Sequence, residues 1–395
     1  MNEVIYLIEQ PLSNWNYERF GIDTWINRGW KVKVWDLTKF INPLAYQYFS
    51  DSGMTVHLFE GYYEISNKSE LQSMYKTINN GSYFVSAFGE SAEHILVMRQ
   101  MSQAGAKRIW SNLGSIPGVP SNTGINKFFK KINVMLRTSP KLLWKALRDK
   151  FYRKIYRNQV SPSLIVVAGR KSFPNFLKSN DVRLVLAHNL DYDNYLFLRD
   201  HNEKKNVGSL VFLDQNYCFS SEWLFPGLGG APTSPDNYFP KLTKILNSIS
   251  LDLDLATIVA GHPRFNYADI KKHYGKIIIE CGKTAQLIRD CDLVVGHDST
   301  AIQLAVIFQK PLIFLTSCEL DLSVWGQSIR FMAAELGKYP INIDHPVNAI
   351  NWQDEMYINI DAYNRYKENY IKISGSPEKS SWNIVIDRIE KNHFG

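Results

Sequence analysis

Short apolar runs alternate with longer amphipathic segments along most of this chain. In the first half, the predicted strands fall at 4–7, 32–35, 83–87, 107–112, 164–167 and 184–187. The intervening segments 17–27 and 92–104 repeat apolar residues every three or four positions and are followed closely by Gly29 and Gly105, as helices often are. This alternation predicts a parallel sheet with crossover helices.

A second set of alternating runs begins after the polar stretch 201–206. Its predicted strands are 210–213, 257–260, 277–279, 293–295 and 312–315, and its predicted helices are 238–248, 285–290 and 301–308. Because 395 residues exceed what one hydrophobic core usually organises, we expect two α/β domains, at 1–203 and 204–350. Each is expected to be a doubly wound sheet facing a common cleft. Residues 351–395 are expected to form a helical segment that packs back towards the first domain.

The composition is that of an ordinary globular protein, with 45% hydrophobic and 21% charged residues. Its four cysteines lack the spacing of a metal or redox site, which indicates reduced thiols. The apolar N-terminal run has no basic flank of the kind that signal peptides carry, and no apolar stretch reaches the roughly 18 residues that a membrane span needs. We therefore expect a cytoplasmic protein.

One segment, 127–157, holds eleven Lys and Arg residues against a single acidic residue, a balance of +10. Because the whole chain has a net charge of +7, the remainder is slightly acidic. Pro140 divides it into two predicted amphipathic helices. A solvated helical face and a nucleic-acid surface are alternatives, but nothing else resembles a nucleic-acid-binding module. We favour an anionic membrane surface, the inner membrane, as the partner. The residues expected to face it include Lys130, Lys131, Lys141, Lys145, Arg148, Arg153 and Lys154.

Two polar motifs follow predicted strands of the second domain. Gly296-His297-Asp298-Ser299-Thr300 lies between an apolar strand and an apolar helix, where backbone N–H groups and hydroxyls can bind a phosphate. The alternative is that these side chains only cap the helix. In Gly261-His262-Pro263-Arg264, Pro263 stiffens the turn, so the His262 imidazole is expected at the sheet edge, where it can neutralise a departing phosphate.

This ordered pair of motifs resembles the C-terminal half of GT-B glycosyltransferases, which have two Rossmann-like domains. More narrowly, it is similar to bacterial transferases that use CMP-activated sialic-type (nonulosonic) or Kdo-type sugars and carry a His-Pro motif and a Ser/Thr pair. The resemblance covers about 205–320 and includes Asp214-Gln215 and Lys310-Pro311. Over the first half of the chain it is architectural only.

The resemblance implies a transferase that moves such a sugar from a CMP-activated donor to a surface-glycan or lipid-linked acceptor, without cofactor or metal and with inversion favoured. His262 would act as electrostatic or acid catalyst on the donor phosphate, which Ser299 and Thr300 would also bind. The implied donor site comprises Asp214, Gln215, His262, Pro263, Arg264, Gly296, His297, Asp298, Ser299 and Thr300. A CDP-polyol phosphotransferase of teichoic-acid type, a UDP-sugar transferase and a non-catalytic carbohydrate-binding protein remain alternatives.

The sialyltransferases of this kind place their catalytic base in an acidic-acidic-Gly motif of the N-terminal domain, and this sequence lacks that triplet. The acceptor hydroxyl needs a carboxylate beyond a strand end. Asp191 and Asp193 are the first candidates, Glu90 is the second and Glu9 the third. Asp191-Tyr-Asp193 also matches a short metal-binding pattern, but GT-B enzymes usually stabilise the leaving group without metal.

Overall fold

Two separate parallel sheets organise the chain. The computed structural model describes residues 2–51, 55–118, 140–174, 181–199, 208–219, 230–262, 265, 267–346 and 350–393. The expected fold class, two doubly wound α/β units, is confirmed. Part of the basic segment, the polar stretch 201–206, and Pro263 and Arg264 lie outside the described residues.

Seven strands form the N-terminal sheet among the described residues, in the order β3-β2-β1-β4-β5-β6-β7, and every neighbouring pair is parallel. The strands are β1 (Glu3–Ile8), β2 (Lys31–Asp36), β3 (Tyr62–Glu64), β4 (Tyr83–Ala87), β5 (Lys107–Asn112), β6 (Leu164–Val167) and β7 (Leu184–Leu186).

The C-terminal sheet has six described strands, again all parallel, in the order β10-β9-β8-β11-β12-β13. They are β8 (Ser209–Leu213), β9 (Ala256–Gly261), β10 (Ile278–Cys281), β11 (Leu293–Gly296), β12 (Leu312–Thr316) and β13 (Ile341–Asn342). Both sheets reverse their winding direction next to the first strand. Ligands of doubly wound sheets bind at that switch point, beyond the carboxyl ends of the strands. It lies between β1 and β4 in one sheet and between β8 and β11 in the other.

Helices cover both faces of each sheet. Those of the first half are α1 (Asn14–Arg19), α2 (Ile22–Asn27), α3 (Thr38–Ile41), α4 (Pro43–Asp51), α5 (Lys68–Tyr75), α6 (Ala92–Gln103), α7 (Pro140–Tyr156) and α8 (Leu190–Arg199). Those of the second half are α9 (Pro235–Leu253), α10 (Lys271–Tyr274), α11 (Thr284–Asp290), α12 (Ile302–Ile307), α13 (Cys318–Asp321), α14 (Val324–Glu335), α15 (Trp352–Glu355), α16 (Ile360–Tyr366) and α17 (Ser381–His393). A 3₁₀ turn, Arg170–Ser172, and a π-helical turn, Lys367–Ile371, complete the described elements.

The segment predicted as one helix at 17–27 is two helices, because the chain turns sharply at Gly21. This glycine has φ +58°, in the left-handed region, and a Cβ there would lie 2.4 Å from Cδ1 of Trp382. Glycine is the residue that tolerates both constraints. The short edge strands β3 and β13 were not predicted, since two or three residues carry too little periodicity to read.

The last helix, α17, packs against the N-terminal sheet. Trp382 is buried with Tyr6 and Trp25 in the same apolar cluster, and its ring lies edge-on to Tyr6 at a centroid distance of 5.7 Å. Its indole N–H donates to the backbone oxygen of Arg19 (2.8 Å). The chain therefore starts in the N-terminal sheet, builds the C-terminal sheet and returns.

Candidate functional site

The two motifs singled out in the sequence lie at the same edge of the C-terminal sheet. His262 follows β9, Asp214 follows β8, and the 297–300 loop follows β11. β8 pairs with both β9 and β11, so these loops emerge side by side. Neighbouring strands lie about 4.8 Å apart, which places the ends of β9 and β11 roughly 10 Å from each other. A nucleotide phosphate and its substituents can bridge that distance.

Reciprocal hydrogen bonds join the loops after β8 and β11 at the switch point. The Gln215 side chain donates to Oδ1 of Asp298 (2.9 Å) and accepts from the Asp298 backbone N–H (3.0 Å). The Tyr217 hydroxyl donates to the same Asp298 oxygen (2.5 Å). Asp298 and Tyr217 are buried, so these bonds to the Asp298 carboxylate hold the loop after β11 in position.

Tyr267 joins the loops after β8 and β9. Its hydroxyl donates to Oδ2 of Asp214 (2.8 Å) and accepts from the backbone N–H of His262 (2.8 Å). Gly261 makes room for this ring, since a Cβ there would lie 2.9 Å from a ring carbon of Tyr267. Together with the Gln215–Asp298 pair, these bonds form one network across three adjacent strand ends.

Burial raises the pKa of Asp214, and hydrogen bonds from the Asn216 N–H and from Tyr267 partly offset that effect. Burial also raises the pKa of Tyr267, with the charge of Asp214 adding to it, so the tyrosine stays a hydroxyl donor at every physiological pH. Asp214 thus anchors the loop after β8.

His297 is fully buried, and both ring nitrogens have partners within the protein. Nδ1 lies 2.7 Å from the backbone oxygen of Leu315, and Nε2 lies 2.6 Å from the Tyr238 hydroxyl. Burial lowers the pKa of His297 to about 4, so the imidazole is neutral, with Nδ1–H donating to Leu315 and Nε2 accepting from Tyr238. These two bonds fix the His297 ring beside the strand ends. Neither ring nitrogen is left to donate to a phosphate.

Ser299 and Thr300 are half-buried at the start of the turn that leads into α12. The Ser299 hydroxyl accepts from the Ala301 backbone N–H (3.2 Å), the local capping contact that the sequence left as an alternative. Among the described residues, no hydrogen bond uses the backbone N–H of Ser299 or Thr300. Capping by Ser299 and anion binding by these two amides are therefore compatible.

The side chain of His262 is half-buried, and its ring tilts against Phe265 with 4.9 Å between ring centroids. Its backbone is fixed on both sides, by Tyr267 and by the Phe265 N–H that donates to the His262 oxygen (3.2 Å). The imidazole is thus held at the sheet edge without being enclosed, in contrast with His297.

The N-terminal half meets this region through a buried amide pair. The Asn189 amide donates to the Gln303 side-chain oxygen, and the Gln303 amide donates to the backbone oxygen of Ser115 (2.8 Å). Gln303 also donates its backbone N–H to the Thr300 oxygen (3.0 Å). The start of the 189–193 segment therefore contacts α12, the helix that follows the 299–300 turn.

Asp191 and Asp193 differ in what surrounds them. Burial raises the pKa of Asp191, against a lowering effect from the charge of Arg19, and the side chain keeps partial access to solvent. Burial also raises the pKa of Asp193, to about 6, but Oδ1 of Asp193 accepts the N–H of Ser381 (2.9 Å) and lies 3.7 Å from Nε2 of buried His188. Asp193 thus ties α8 to the start of α17.

Glu9 and Glu90 follow β1 and β4, at the switch point of the N-terminal sheet. Oε2 of Glu9 lies 2.9 Å from Nε2 of His94, and Oε1 accepts the Gly89 N–H (3.1 Å). Burial favours a higher pKa for Glu9, but His94 and Gly89 together lower it. Glu90 is half exposed and lies 3.7 Å from the buried Arg108 guanidinium. Both carboxylates therefore have cationic or polar partners in their own domain.

Asn216 was not predicted from the sequence. It adopts φ +50° directly after Gln215, and its side chain is almost completely buried. Neither polar atom of its amide has a hydrogen-bond partner in the part of the chain that the structure describes. An Asn just past a strand end was the sequence feature that could have indicated this residue, since Asn tolerates the left-handed backbone region better than most residues.

Within the described ranges, no group of three or more His, Cys, Asp or Glu side chains is placed to hold a metal ion. No described helix is long and apolar enough to cross a lipid bilayer. Lys145, Arg148, Arg153 and Lys154 lie on α7, whereas Lys130 and Lys131 lie outside the described residues, as does the side chain of Lys141.

No protein-family model matches the sequence, and no curated protein sequence matches it either. A variant of the wall teichoic acid polymerase TagF is similar to it in structure, with a TM-score of 0.51 and 10% identity over 99% of this chain and 90% of that chain. A second TagF variant, soaked with CDPG, gives a TM-score of 0.50 and 11% identity over the same shares. Anabaena Alr3699/HepE in complex with UDP-glucose gives 0.46 and 10% over all of both chains. At these identities, the two TagF structures establish a shared fold: two Rossmann-like domains in the GT-B arrangement.

Proposed function

We propose that this protein is a glycosyltransferase that moves a sugar from a nucleotide-activated donor to a glycan acceptor. The observation that carries the proposal is the hydrogen-bond network of Tyr267, Asp214, Gln215 and Asp298, which fixes the loops after β9, β8 and β11 around one switch point. A rigid cluster of strand-end loops with free backbone amides is suited to holding a phosphate in one orientation.

In the proposed reaction, the acceptor hydroxyl oxygen attacks the anomeric carbon of the donor sugar as the bond from that carbon to the phosphate oxygen breaks. Asp191 takes the hydroxyl proton. Its raised pKa makes it a stronger base than an ordinary carboxylate, whereas Glu9 and Asp193 have partners in their own surroundings. Glu90 pairs with Arg108.

The leaving nucleotide gains negative charge as the bond breaks. The backbone amides of Ser299 and Thr300, the Thr300 hydroxyl and the imidazole of His262 stabilise that charge in the proposal. His297 and Asp298 hold the loop in place in the proposal rather than contact the donor, since both ring nitrogens of His297 and Oδ1 of Asp298 already bond within the protein. The Asn216 amide supplies a donor and an acceptor for the nucleobase or ribose.

The preferred donor is a CMP-activated nonulosonic acid or Kdo, on the resemblance of the Gly261-His262-Pro263 and Ser299-Thr300 motifs. The reaction is proposed to need neither cofactor nor metal and to invert the anomeric carbon. A CDP-polyol phosphotransferase and a UDP-sugar transferase are alternatives within the same fold.

The acceptor is proposed to be a surface glycan carried at the inner face of a membrane, with α7 as the contact element. Trp144, Leu147, Phe151 and Ile155 are spaced three or four residues apart on α7, and each is more than half exposed. We name this set the apolar stripe. Lys145, Arg148 and Lys154 flank it on the same helix, whereas Arg153 lies on the opposite face. An apolar stripe bordered by basic residues is typical of helices that lie in the surface of an anionic bilayer.

The test is nucleotide release from CMP-nonulosonic acid, CMP-Kdo, CDP-glycerol and UDP-sugars by the wild-type chain, His262→Ala and His345→Ala. His345 is an exposed histidine of the same domain and serves as the matched control. We expect turnover of one donor class, a loss of about 100-fold or more for His262→Ala, and no change for His345→Ala. Binding of a glycan with no turnover of any donor would favour a carbohydrate-binding protein and overturn the proposal.

A further inference from the structure

A cavity of about 480 Å³ lies in the N-terminal domain, apart from the donor site, between β5, α6, α7 and the turns that precede β6 and β7. The charged residues that line it are mostly positive. The charged residues are Arg108, Arg153, Arg157, Arg183 and Glu90.

Arg108 is the buried member of this set, with 6% of its surface exposed. One guanidinium nitrogen donates to the Val160 backbone oxygen (3.0 Å) and another to the Ser86 hydroxyl (3.3 Å). Its Nε is buried without a hydrogen-bond partner in the described chain, and the Glu90 carboxylate is 3.7 Å away. A buried guanidinium with one half-exposed counter-ion is incompletely compensated.

Arg153 and Arg157 add further positive charge from one side of α7 and its end. The Arg153 Nε makes only a long bond to the Asp149 backbone oxygen (3.4 Å), and Arg157 makes no hydrogen bond or ion pair with another described residue. Arg183 is already neutralised by Asp181, at 2.6 Å. With Arg183 paired in this way, Arg108, Arg153 and Arg157 face a single carboxylate, Glu90, and the cavity carries a formal excess of two positive charges.

We propose that this cavity is a second binding site and that it takes the phosphoryl group of an anionic ligand. Guanidinium groups bind phosphate oxygens through paired, charge-assisted hydrogen bonds, and the exposed residues Arg153 and Arg157 line the cavity beside the positive charge of buried Arg108. The Trp110 ring, half-buried in the same lining, adds an apolar wall.

Two sources can supply this group. The cavity is lined partly by Arg153, on the same helix that carries the apolar stripe, so a membrane lipid headgroup is one source. A soluble phosphorylated molecule can also enter from solvent. The shared chemistry is the phosphate, and the experiment distinguishes its sources.

The experiment uses the full chain and measures binding of inorganic phosphate and pyrophosphate by calorimetry. Arg153→Gln/Arg157→Gln removes two exposed charges that line the cavity. Lys150→Gln/Lys154→Gln removes two exposed charges of the same helix that do not. We expect saturable binding that the arginine pair weakens by roughly 10-fold or more, as loss of charged hydrogen bonds implies, and that the lysine pair changes by less than about threefold.

A second arm compares vesicles of phosphatidylcholine mixed with phosphatidic acid or with phosphatidylserine at equal charge. A preference for phosphatidic acid that the arginine pair abolishes identifies a lipid headgroup as the source. Arginine-dependent binding of inorganic phosphate or pyrophosphate without any such preference identifies a soluble ligand. Equal losses of phosphate and pyrophosphate binding in the two double variants, or no arginine-dependent binding of any probe, overturn the cavity site. Because no sugar donor is present, this result is independent of whether His262 supports transfer.

Discussion

His262 and His297 follow strands of the same sheet, yet their imidazoles lie in different environments. Both stood in the predicted donor site, since each comes directly after a strand end. His297 is enclosed because Tyr238, from α9, and Leu315, from β12, bond to its two nitrogens. Those partners are 59 and 18 residues away in sequence, so local pattern could not distinguish the two histidines. The strand ends were predictable, and the side-chain environments were not.

Loss of the proposed catalytic base, Asp191, is expected to lower catalysis as strongly as loss of His262. Asp191→Asn keeps the shape but cannot accept a proton, so we expect kcat to fall by about 100-fold or more. In the wild type, burial raises the pKa of Asp191 above the ordinary 3.8. Activity needs the deprotonated form, so kcat/KM should fall on acidification with an apparent pKa above that value. Steady-state rates across pH check both points, and an Asp191→Asn enzyme of normal rate contradicts the assignment.

Asp193 is expected to act on stability instead. Its pKa is raised to about 6 in the folded chain, from 3.8, so the folded form holds a proton that the unfolded form has lost between those two values. The free energy of unfolding therefore decreases as pH rises through that window and stays lower above it. Asp193→Asn cannot ionise, and it should gain on the order of 1–3 kcal/mol relative to wild type at pH 7.5, and less at pH 4.5.

Denaturant unfolding of Asp193→Asn at the two pH values measures this gain. Asp252→Asn, at an exposed aspartate of α9, is the control and should change stability by less than about 0.5 kcal/mol at either pH. If Asp193→Asn raises the free energy of unfolding equally at both pH values, ionisation of a buried Asp193 is not the cause.

Tyr267 supplies one hydroxyl to both Asp214 and His262. Tyr267→Phe leaves the ring in place but removes the donor to a buried carboxylate and the acceptor of the His262 N–H. We expect a loss of about 1–3 kcal/mol in stability and roughly 10-fold or more in kcat/KM, since the position of the His262 loop relaxes. Thermal melts and initial rates measure the two effects. Tyr339→Phe, at a tyrosine that is 87% exposed, should change neither.

At the scale of elements, apolar periodicity predicted most of the strands that build the two sheets. The limits of β4, β5 and β6 agree with the predicted 83–87, 107–112 and 164–167. β4 and β6 are mostly apolar, as buried parallel strands usually are, whereas only Ile109 and Trp110 are apolar in β5. Helices were predicted less well. α9 begins at Pro235 and ends at Leu253, outside the predicted 238–248, and α12 is shorter than the predicted 301–308. Helix ends depend on capping and tertiary contacts that apolar spacing does not encode.

The helix α7 carries the prediction for membrane attachment. Trp144→Ser/Phe151→Ser removes two exposed aromatic side chains, and burial of such side chains is worth about 1.5–3 kcal/mol each. We expect binding to phosphatidylglycerol-containing vesicles to fall by roughly 10-fold or more in sedimentation assays, with turnover of a soluble acceptor unchanged.

Leu251→Ser/Leu322→Ser is the matched control, since both leucines are more than 80% exposed and lie in the C-terminal half of the chain. It should bind vesicles as the wild type does. Equal losses in the two double variants indicate a general effect of surface hydrophobicity and contradict a specific role for α7.

At the scale of the whole molecule, the chain returns to the N-terminal sheet through α17. We therefore expect a substitution in α17 to destabilise that sheet and not the C-terminal sheet. Trp382→Ala leaves a large cavity beside Tyr6 and Trp25, and we expect a loss of about 3–5 kcal/mol. Hydrogen exchange should accelerate in β1 and β2 while β8 and β11 keep their protection. Trp352→Ala, in the C-terminal core, should show the reverse pattern. Uniform acceleration in both variants indicates a single cooperative unit.

The position of Trp382 in the core of the first sheet also has a consequence for biosynthesis. The strands of that sheet leave the ribosome before β8 to β13 are translated, but the tryptophan that completes their packing follows β13 in the sequence. The N-terminal sheet must therefore wait, incompletely packed, until the C-terminal sheet has been translated. A nonsense codon between β13 and position 382 leaves an exposed apolar groove where α17 belongs, which makes the truncated product a substrate for chaperones and proteases.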